Sequence, residues 1–190
     1  MVKFEKLDRL LDDNEIKSEM RDLKLRMVSG EIDFKINKDF INKNKKIFNF
    51  IKNTFPNDVL SGSIVLKAYG LLNRDYHDLD ILIDDPKRYS GYMKSDYDNL
   101  EMNVSNRLGY KTLSYKNGFF SFKEDYKVDF FENKGSSYNV IDGIKFHSLL
   151  EVLDCKMTMA LDGYSESSKK HRKDLTDIFR MIYIRDCANF

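Results

Sequence analysis

The sequence predicts an α/β (α+β) fold in which helices flank a small mixed sheet. Apolar residues recur at spacings of three and four near both ends of the chain, whereas stretches between them alternate apolar with polar residues. The first pattern is typical of helices and the second of strands. With 190 residues and 42% hydrophobic content, the chain can bury one core. We expect an N-terminal helical segment over residues 1–55, a sheet-bearing core over residues 56–140 and a C-terminal helical lobe over residues 141–190, packed as one compact unit.

The first segment contains two predicted helical stretches. One covers residues 4–28 and ends at Ser29-Gly30. The other begins at Asp39, a residue type that caps helix N-termini, and ends before Pro56. Their apolar positions are Phe4, Leu7, Leu10, Leu11, Met20, Leu23, Met27, Phe40, Ile41, Ile47, Phe48, Ile51 and Phe55.

The core segment opens with a predicted strand at Val59 and Leu60, a Gly62-Ser63 corner and a short helix that reaches Tyr69. A second strand is predicted over residues 79–83, where apolar side chains alternate with Asp80. Because strand side chains repeat with a period of two, Asp78 and Asp80 should point to the same face.

The rest of the core is predicted to form a helix, a hairpin and a strand. The helix covers residues 94–108 and ends at Gly109, a residue type common after helix C-termini. The hairpin turns at Asn117-Gly118, a pair that suits a type I′ turn. The strand, YKVDFFE, covers residues 126–132 and places Asp129 opposite in direction to Val128 and Phe130.

Two helices are predicted in the C-terminal lobe. Ser148 and Glu151 have the spacing of a capping box, and a helical stripe continues from there toward Asp162-Gly163. Ser168 precedes the last helix. Its buried stripe is predicted to consist of Leu175, Ile178, Phe179 and Ile182.

Composition limits the classes of function. Lys and Arg number 32 against 31 Asp and Glu, so the net charge of +1 argues against a protein that coats nucleic acid over its whole surface. The charged N-terminus and the lack of an apolar run of about 18 residues lead us to expect a cytoplasmic protein with no membrane association. Cys155 and Cys187 have neither metal-ligand nor disulfide-framework spacing, so we expect reduced thiols.

Carboxylates in the two predicted core strands indicate a metal site. Asp78 and Asp80 share a strand face, and Asp129 can face them if the two strands are neighbours. Mg²⁺ prefers oxygen ligands and is usually held by one or two carboxylates together with substrate phosphates. Gly62 lets the backbone approach a phosphate, while the Ser63 hydroxyl offers a donor. An Asp-x-Asp pair alone would also fit a strand face exposed to solvent. The prediction of a metal site therefore depends on the aspartate pair together with Asp129 and the Gly62-Ser63 corner.

The stretch GSIVLKAYGLLNRDYHDLDI, residues 62–81, resembles the first motif of the DNA polymerase beta type nucleotidyltransferases. Those proteins carry Gly-Ser, a helix, and Asp-x-Asp on the next strand. Among their branches, the sequence is most similar to the AbiEii abortive-infection toxins. The residues that carry this closer resemblance are Gly70, Leu71, Arg74, Lys156, Lys173, Asp174 and Asp177. The match runs from about Leu60 to Phe179, and residues 1–55 lie outside it.

The resemblance implies a nucleotidyltransferase core over residues 56–140 that moves a nucleoside monophosphate from an NTP to an acceptor and releases pyrophosphate. Two Mg²⁺ ions, or Mn²⁺ in their place, would be the cofactor. Asp78, Asp80 and Asp129 would be the catalytic and metal-binding residues, with Asp129 acting on the attacking hydroxyl. The implied nucleotide-binding residues are Gly62, Ser63, Arg74, Lys156 and Asp174. Two features depart from the family pattern: fourteen residues separate Ser63 from Asp78, and Ile64 is apolar.

Several of these residues also have ordinary structural interpretations. Lys156 borders an apolar stripe, where lysines usually extend into water. Asp174 and Asp177 are spaced to pair with Lys170 and Lys173 on the helix surface.

The acceptor and the partners remain open at the level of sequence. Toxin relatives suggest tRNA or a protein side chain as acceptor, and other branches modify small molecules such as antibiotics. The basic run at residues 169–173 would suit a phosphate backbone, and Tyr76, Tyr115, Phe119 and Phe120 could stack a base. A different class of answer is a non-catalytic nucleotide- or RNA-binding module. An antitoxin-type protein is a further expected partner.

Overall fold

A computed structural model describes residues 13–76, 78–84, 100–105, 110–115, 120–121, 127–162 and 169–187. The helices in these ranges are α1 (Asp13–Val28), α2 (Lys38–Lys43), α3 (Lys45–Thr54), α4 (Gly62–Ala68), α5 (Leu149–Asp162) and α6 (Lys169–Cys187). The strands are β1 (Val59–Ser61), β2 (Leu79–Ile83), β3 (Leu100–Ser105), β4 (Tyr110–Tyr115), β5 (Phe120–Ser121), β6 (Lys127–Glu132), β7 (Tyr138–Ile141) and β8 (Ile144–His147). The predicted α+β class is therefore confirmed.

The described strands form one mixed sheet in the order β3-β4-β6-β2-β1-β8-β7, with β5 also paired to β6. The β2–β6 and β1–β8 pairs are parallel, and the remaining pairs are antiparallel. The four central strands are therefore β6, β2, β1 and β8. They come from three separate parts of the sequence, so long-range pairing builds the centre of the sheet.

The second predicted helix is divided in two. Asn37, not Asp39, caps α2, because its side-chain oxygen accepts a hydrogen bond from the Phe40 N–H at 3.1 Å. The helix then breaks at Asn44, whose side-chain amide donates to the Phe40 carbonyl at 2.8 Å. Side chains such as Asn compete for backbone hydrogen bonds in this way, which favours caps and breaks over helix interiors.

Two predictions for the middle of the chain are wrong. The helix over residues 94–108 is contradicted by β3, which pairs antiparallel with β4 along its full length. The predicted hairpin at Asn117-Gly118 would require β4 and β5 to pair with each other. Both strands instead pair antiparallel with β6, so they run in the same direction along one edge of β6. Residues 4–12, Gly109, Asn117-Gly118 and Ser168 themselves lie outside the described residues.

One face of the central sheet is apolar and packs on α3. Cα partners across the four central strands form a buried row of Phe130, Ile81, Leu60 and Phe146. The Phe55 ring lies 6.1 Å from that of Phe130, and the Phe48 ring of α3 lies 6.1 Å from that of Phe146. The neighbouring residues on each strand point to the opposite face, because side chains alternate along a strand.

Buried residues from α1 through α6 and the central strands share one apolar core. An ion pair also links two of these helices, since Lys24 of α1 contacts Asp154 of α5. None of the helices in the described ranges combines the length and apolar content needed to cross a bilayer.

Candidate active site

Four polar residues lie next to the apolar row, and their side chains point to the opposite face of the sheet. We call them the polar row: Asp129, Asp80, Ser61 and His147, which lie in β6, β2, β1 and β8 in that order. Asp80 is the Cα partner of Asp129 in the parallel pair and of Ser61 in the antiparallel pair. Strands are about 4.8 Å apart, so residues paired in this way present their side chains side by side. The structure thus brings Asp80 and Asp129 together.

Asp78 lies one residue before β2 and is half-buried, as are Asp80 and Asp129. Within the described ranges, no three side chains of His, Cys, Asp or Glu are grouped closely enough to hold a metal ion on their own. Adjacent carboxylates nevertheless fit the oxygen chemistry of Mg²⁺, which commonly takes its remaining ligands from water and phosphate. Asp80 and Asp129, with Asp78 nearby in sequence, are the residues that would hold the ion.

The Gly62-Ser63 corner lies directly against Asp80. Gly62 has a φ of +69°, and a Cβ atom built on it would lie 1.6 Å from the Asp80 Oδ2 atom. Only glycine therefore fits, both because of the backbone conformation and because of the carboxylate beside it. This contact places the start of α4 at the edge of the aspartate pair.

Arg74 links that corner to the last helix. Its Nη2 atom donates to the Ser63 Oγ atom at 3.1 Å and to the Asp177 Oδ2 atom at 2.8 Å, while Nε donates to Asp177 Oδ1 at 3.1 Å. A bidentate contact of this kind fixes the guanidinium plane. Asp177 is thus a carboxylate that orients Arg74.

Lys156 of α5 joins the same arrangement. Its amine contacts the Asp174 carboxylate and lies 2.7 Å from the Asp177 Oδ2 atom. Asp174 and Asp177 are 3% and 4% exposed, so these are buried ion pairs and not surface pairs along α6. The side chain of Lys170, the other suggested partner of Asp174, lies outside the described residues.

The charge cluster, as we call Arg74, Lys156, Lys173, Asp174 and Asp177, has three cationic and two anionic side chains. Burial lowers the pKa of Lys173, and the neighbouring Arg74 and Lys156 charges lower it further, against the opposing effect of both aspartates. The charge cluster has one more cation than anion and is therefore suited to an anionic ligand. The negative charge of that ligand would favour the protonated form of the Lys173 amine.

A second hydrogen-bonded chain extends from the other end of the polar row. Ser61 Oγ lies 2.8 Å from His147 Nδ1, and His147 Nε2 lies 2.8 Å from Glu151 Oε2. The other carboxylate oxygen of Glu151 accepts from the Ser137 N–H at 3.1 Å and from the Ser137 hydroxyl. Burial raises the pKa of Glu151, but the hydrogen bonds from Ser137 and His147 outweigh this and bring it below its usual value.

This chain overturns the predicted capping box. Glu151 bonds to Ser137 and His147, while the Ser148 N–H donates to the Ser137 carbonyl at 2.8 Å. Sequence reasoning missed Ser61 and His147 because 86 residues separate them and neither lies in a recognisable motif. Asp174 and Asp177 are three residues apart and therefore lie on one face of α6. That spacing is the feature of the sequence that indicates Asp177 as a second carboxylate beside Asp174.

The sequence and the fold were compared with protein-family models, curated proteins and solved structures. No protein-family model matches the sequence, and no curated protein matches it. A solved structure, the crystal structure of JHP933 from Helicobacter pylori, is similar with a TM-score of 0.43 and 19% sequence identity. The matched region covers 76% of this chain and 66% of that chain, so this chain spans just under two thirds of JHP933. That likeness is too low to support an argument about function.

Proposed function

We propose that the protein is a metal-dependent nucleotidyltransferase that moves a nucleoside monophosphate from an NTP to an acceptor hydroxyl of a tRNA or a protein. One observation carries the proposal: Asp80 and Asp129 are paired on adjacent parallel strands, and the glycine of the Gly-Ser corner lies against Asp80. This joins three elements that the sequence places far apart. Phosphoryl transfer is catalysed mainly by positioning and charge stabilisation, which such a set can provide.

In the proposed reaction, the two ends of the site have separate tasks. A divalent ion held by Asp80, Asp129 and Asp78 would neutralise charge on the reacting phosphates. Asp129 accepts the proton of the attacking acceptor hydroxyl at its carboxylate. The bond from the acceptor oxygen to the α-phosphorus forms as the bond to the pyrophosphate oxygen breaks.

The charge cluster binds the leaving pyrophosphate. Arg74 and Lys156 are held in place by Asp177 and Asp174, so their donors are already oriented before the nucleotide binds. Preorganised donors of this kind act where negative charge develops and cost little reorganisation. Ser63, which already accepts from Arg74, lies between the cluster and the aspartate pair.

The test uses each α-³²P-labelled NTP with Mg²⁺, total RNA and total protein, followed by a denaturing gel. The wild type, Asp80→Ala and Asp129→Asn are compared with Asp33→Asn, because Asp33 is an exposed carboxylate that occupies no part of the site. We expect labelling of an RNA or protein band by the wild type and the Asp33 variant, and a loss of at least about 100-fold in the site variants.

Two results would overturn the proposal. Labelling that survives in Asp80→Ala would show that the aspartates do not carry the chemistry. Absence of labelling with every NTP, together with a melting shift produced by NTP and Mg²⁺, would indicate a nucleotide-binding module without catalysis. Label found only on a small molecule would keep the reaction and replace the acceptor.

A further inference from the structure

Two cationic side chains lie along the same side of α6 as Asp177. Lys173 precedes Asp177 by four residues and Arg180 follows it by three, so the three side chains are neighbours on the helix. At these spacings a carboxylate commonly pairs with a cation of its own helix. Asp177 is therefore placed to pair with either one.

Asp177 uses its carboxylate on residues outside α6 instead. Its Oδ1 atom accepts from Arg74 Nε at 3.1 Å, and its Oδ2 atom accepts from Arg74 Nη2 at 2.8 Å and lies 2.7 Å from Lys156 Nζ. In the part of the chain that the structure describes, the ion pairs of Asp177 are those with Arg74 and Lys156. The helix spacing thus brings Lys173 and Arg180 beside a carboxylate that is already occupied.

Arg180 holds a donor that the fold does not satisfy. The side chain is half-buried, and its Nε atom is fully enclosed with no hydrogen-bond partner among the described residues. Buried polar atoms nearly always have a partner, so an exception calls for a specific reason. No hydrogen bond of Nε opposes a rotation that would bring the guanidinium onto an anion. There its planar fork could donate to two oxygens at once.

Lys173 also gains from a nearby anion. The side chain is half-buried, and burial lowers its pKa. The Arg74 and Lys156 charges lower it further, and the attraction of Asp174 and Asp177 opposes this. Folding therefore holds this amine where its charged form is disfavoured. An added negative charge beside it would offset that cost.

The charges around α6 leave these two cations in excess. Asp174 and Asp177 contact Lys156 and Arg74, and among the described side chains this leaves Lys173 and Arg180 without a carboxylate of their own. Their Cα atoms are about 10.5 Å apart along the helix, a span that two long side chains can close by converging on one group. A phosphate group carries about one to two negative charges, which two cations would balance.

We propose that Lys173 and Arg180 bind a phosphate group at the edge of the charge cluster, separate from the pyrophosphate assigned to Arg74 and Lys156. The phosphate belongs to a nucleotide or to a nucleic acid strand, because both present the same charged oxygens. The proposal concerns binding alone and does not require the transfer reaction.

The test is calorimetric binding without divalent cations, so that a metal at the aspartate pair plays no part. Inorganic tripolyphosphate and ATP represent the nucleotide, and a single-stranded RNA oligonucleotide without terminal phosphates represents the nucleic acid. Lys173→Met and Arg180→Met remove each charge and keep most of the stem. Arg172→Met is the matched control, because Arg172 is an exposed cation of α6 that points about 100° away from Lys173 around the helix.

Both site variants should weaken binding of the same probe about tenfold, the worth of one hydrogen bond to a charged group, and the control should weaken it less. Weaker binding of tripolyphosphate and ATP would identify a nucleotide phosphate, and weaker binding of the RNA alone would identify a nucleic acid. No binding of any probe by the wild type would overturn the proposal. The same holds if Arg180→Met has no larger effect than Arg172→Met.

A second measurement is the melting temperature of the protein without ligand. Arg180→Met should not lower it, because Nε has no hydrogen bond to lose among the described residues and the methionine keeps the apolar contacts of the stem. A decrease of several degrees would show that the guanidinium supports the fold, and would overturn the proposal. Lost binding in Arg180→Met together with absent labelling in the wild type would keep this site and reject the proposed reaction. Labelling by the wild type with unchanged phosphate binding in Arg180→Met would do the reverse.

Discussion

Substitution of Gly62 by alanine should disturb Asp80 directly, and the structure gives the size of the effect. A residue other than glycine at a φ of +69° costs about 1–2 kcal/mol of backbone strain. The new methyl carbon would also lie 1.6 Å from Asp80 Oδ2 and 2.6 Å from its Cγ atom. Moving the carboxylate off its preferred rotamer adds about 0.5–1.5 kcal/mol. We therefore expect a loss of about 2–3 kcal/mol in the free energy of unfolding.

Gly70→Ala is the matched control. Gly70 has a φ of +74°, yet a Cβ atom built on it meets nothing within 4 Å. Gly70→Ala should therefore lose only the free energy that corresponds to backbone strain. Urea unfolding measured on both variants gives the difference, which we expect to be about 1 kcal/mol in excess for Gly62→Ala. Nucleotide labelling should fall about 100-fold in Gly62→Ala alone, because the carboxylate must retreat by more than about 1 Å.

A double-variant cycle isolates the contact. In an Asp80→Ala background the carboxylate is absent, so the excess cost of Gly62→Ala over Gly70→Ala should shrink toward zero. Equal costs for the two glycine variants in the wild-type background would refute the reasoning. The same conclusion would follow if the excess persisted unchanged without the Asp80 side chain.

Three further predictions concern the charged groups. Asp177→Asn should lower the free energy of unfolding by about 3 kcal/mol, because Arg74 and Lys156 lose a shared buried partner; a loss below about 1 kcal/mol in urea would contradict this. Lys173→Met should raise the stability of the ligand-free protein and reduce its stabilisation by NTP with Mg²⁺, as measured by melting temperature. Because the Lys173 pKa is lowered on folding, wild-type stability should also rise as pH increases through that value toward the ordinary lysine range, and this rise should be absent in the variant. Glu151 has a lowered pKa, so its contribution should be complete above about pH 4.3 and disappear as pH falls through the folded-state value; an unchanged acid limb in Glu151→Gln would contradict it.

The sequence predicted the parts of the fold in which local pattern and tertiary environment agree. The strand containing Asp80, the strand containing Asp129 and the two C-terminal helices follow from their periodicity, and the observed strands place the two aspartates as partners. Local pattern failed in the middle of the chain. Leu100, Met102 and Val104 also alternate with period two, and a window that short does not separate a strand from a helix.

The remaining errors have a shared physical cause, which is pairing over long distances in sequence. Asn117-Gly118 suits a tight turn, yet β4 and β5 both pair with β6, a strand that comes later in the sequence. The bond from Ser61 to His147 depends on the parallel β1–β8 pair, which no local signal announces. The roles assigned to the site residues stay predictions until the labelling experiments are done.

The contact between Arg74 and Asp177 spans 103 residues and has a consequence for synthesis of the chain. At about 5–20 residues per second, the ribosome needs roughly 5–20 s after making Arg74 before it makes its carboxylate partner. For most of that interval the sheet centre also lacks β8, because β8 is made only shortly before α5. The charge cluster therefore cannot be complete on a nascent chain that does not yet include α6. Whatever the site does, it should begin only after α6 has been made and has packed.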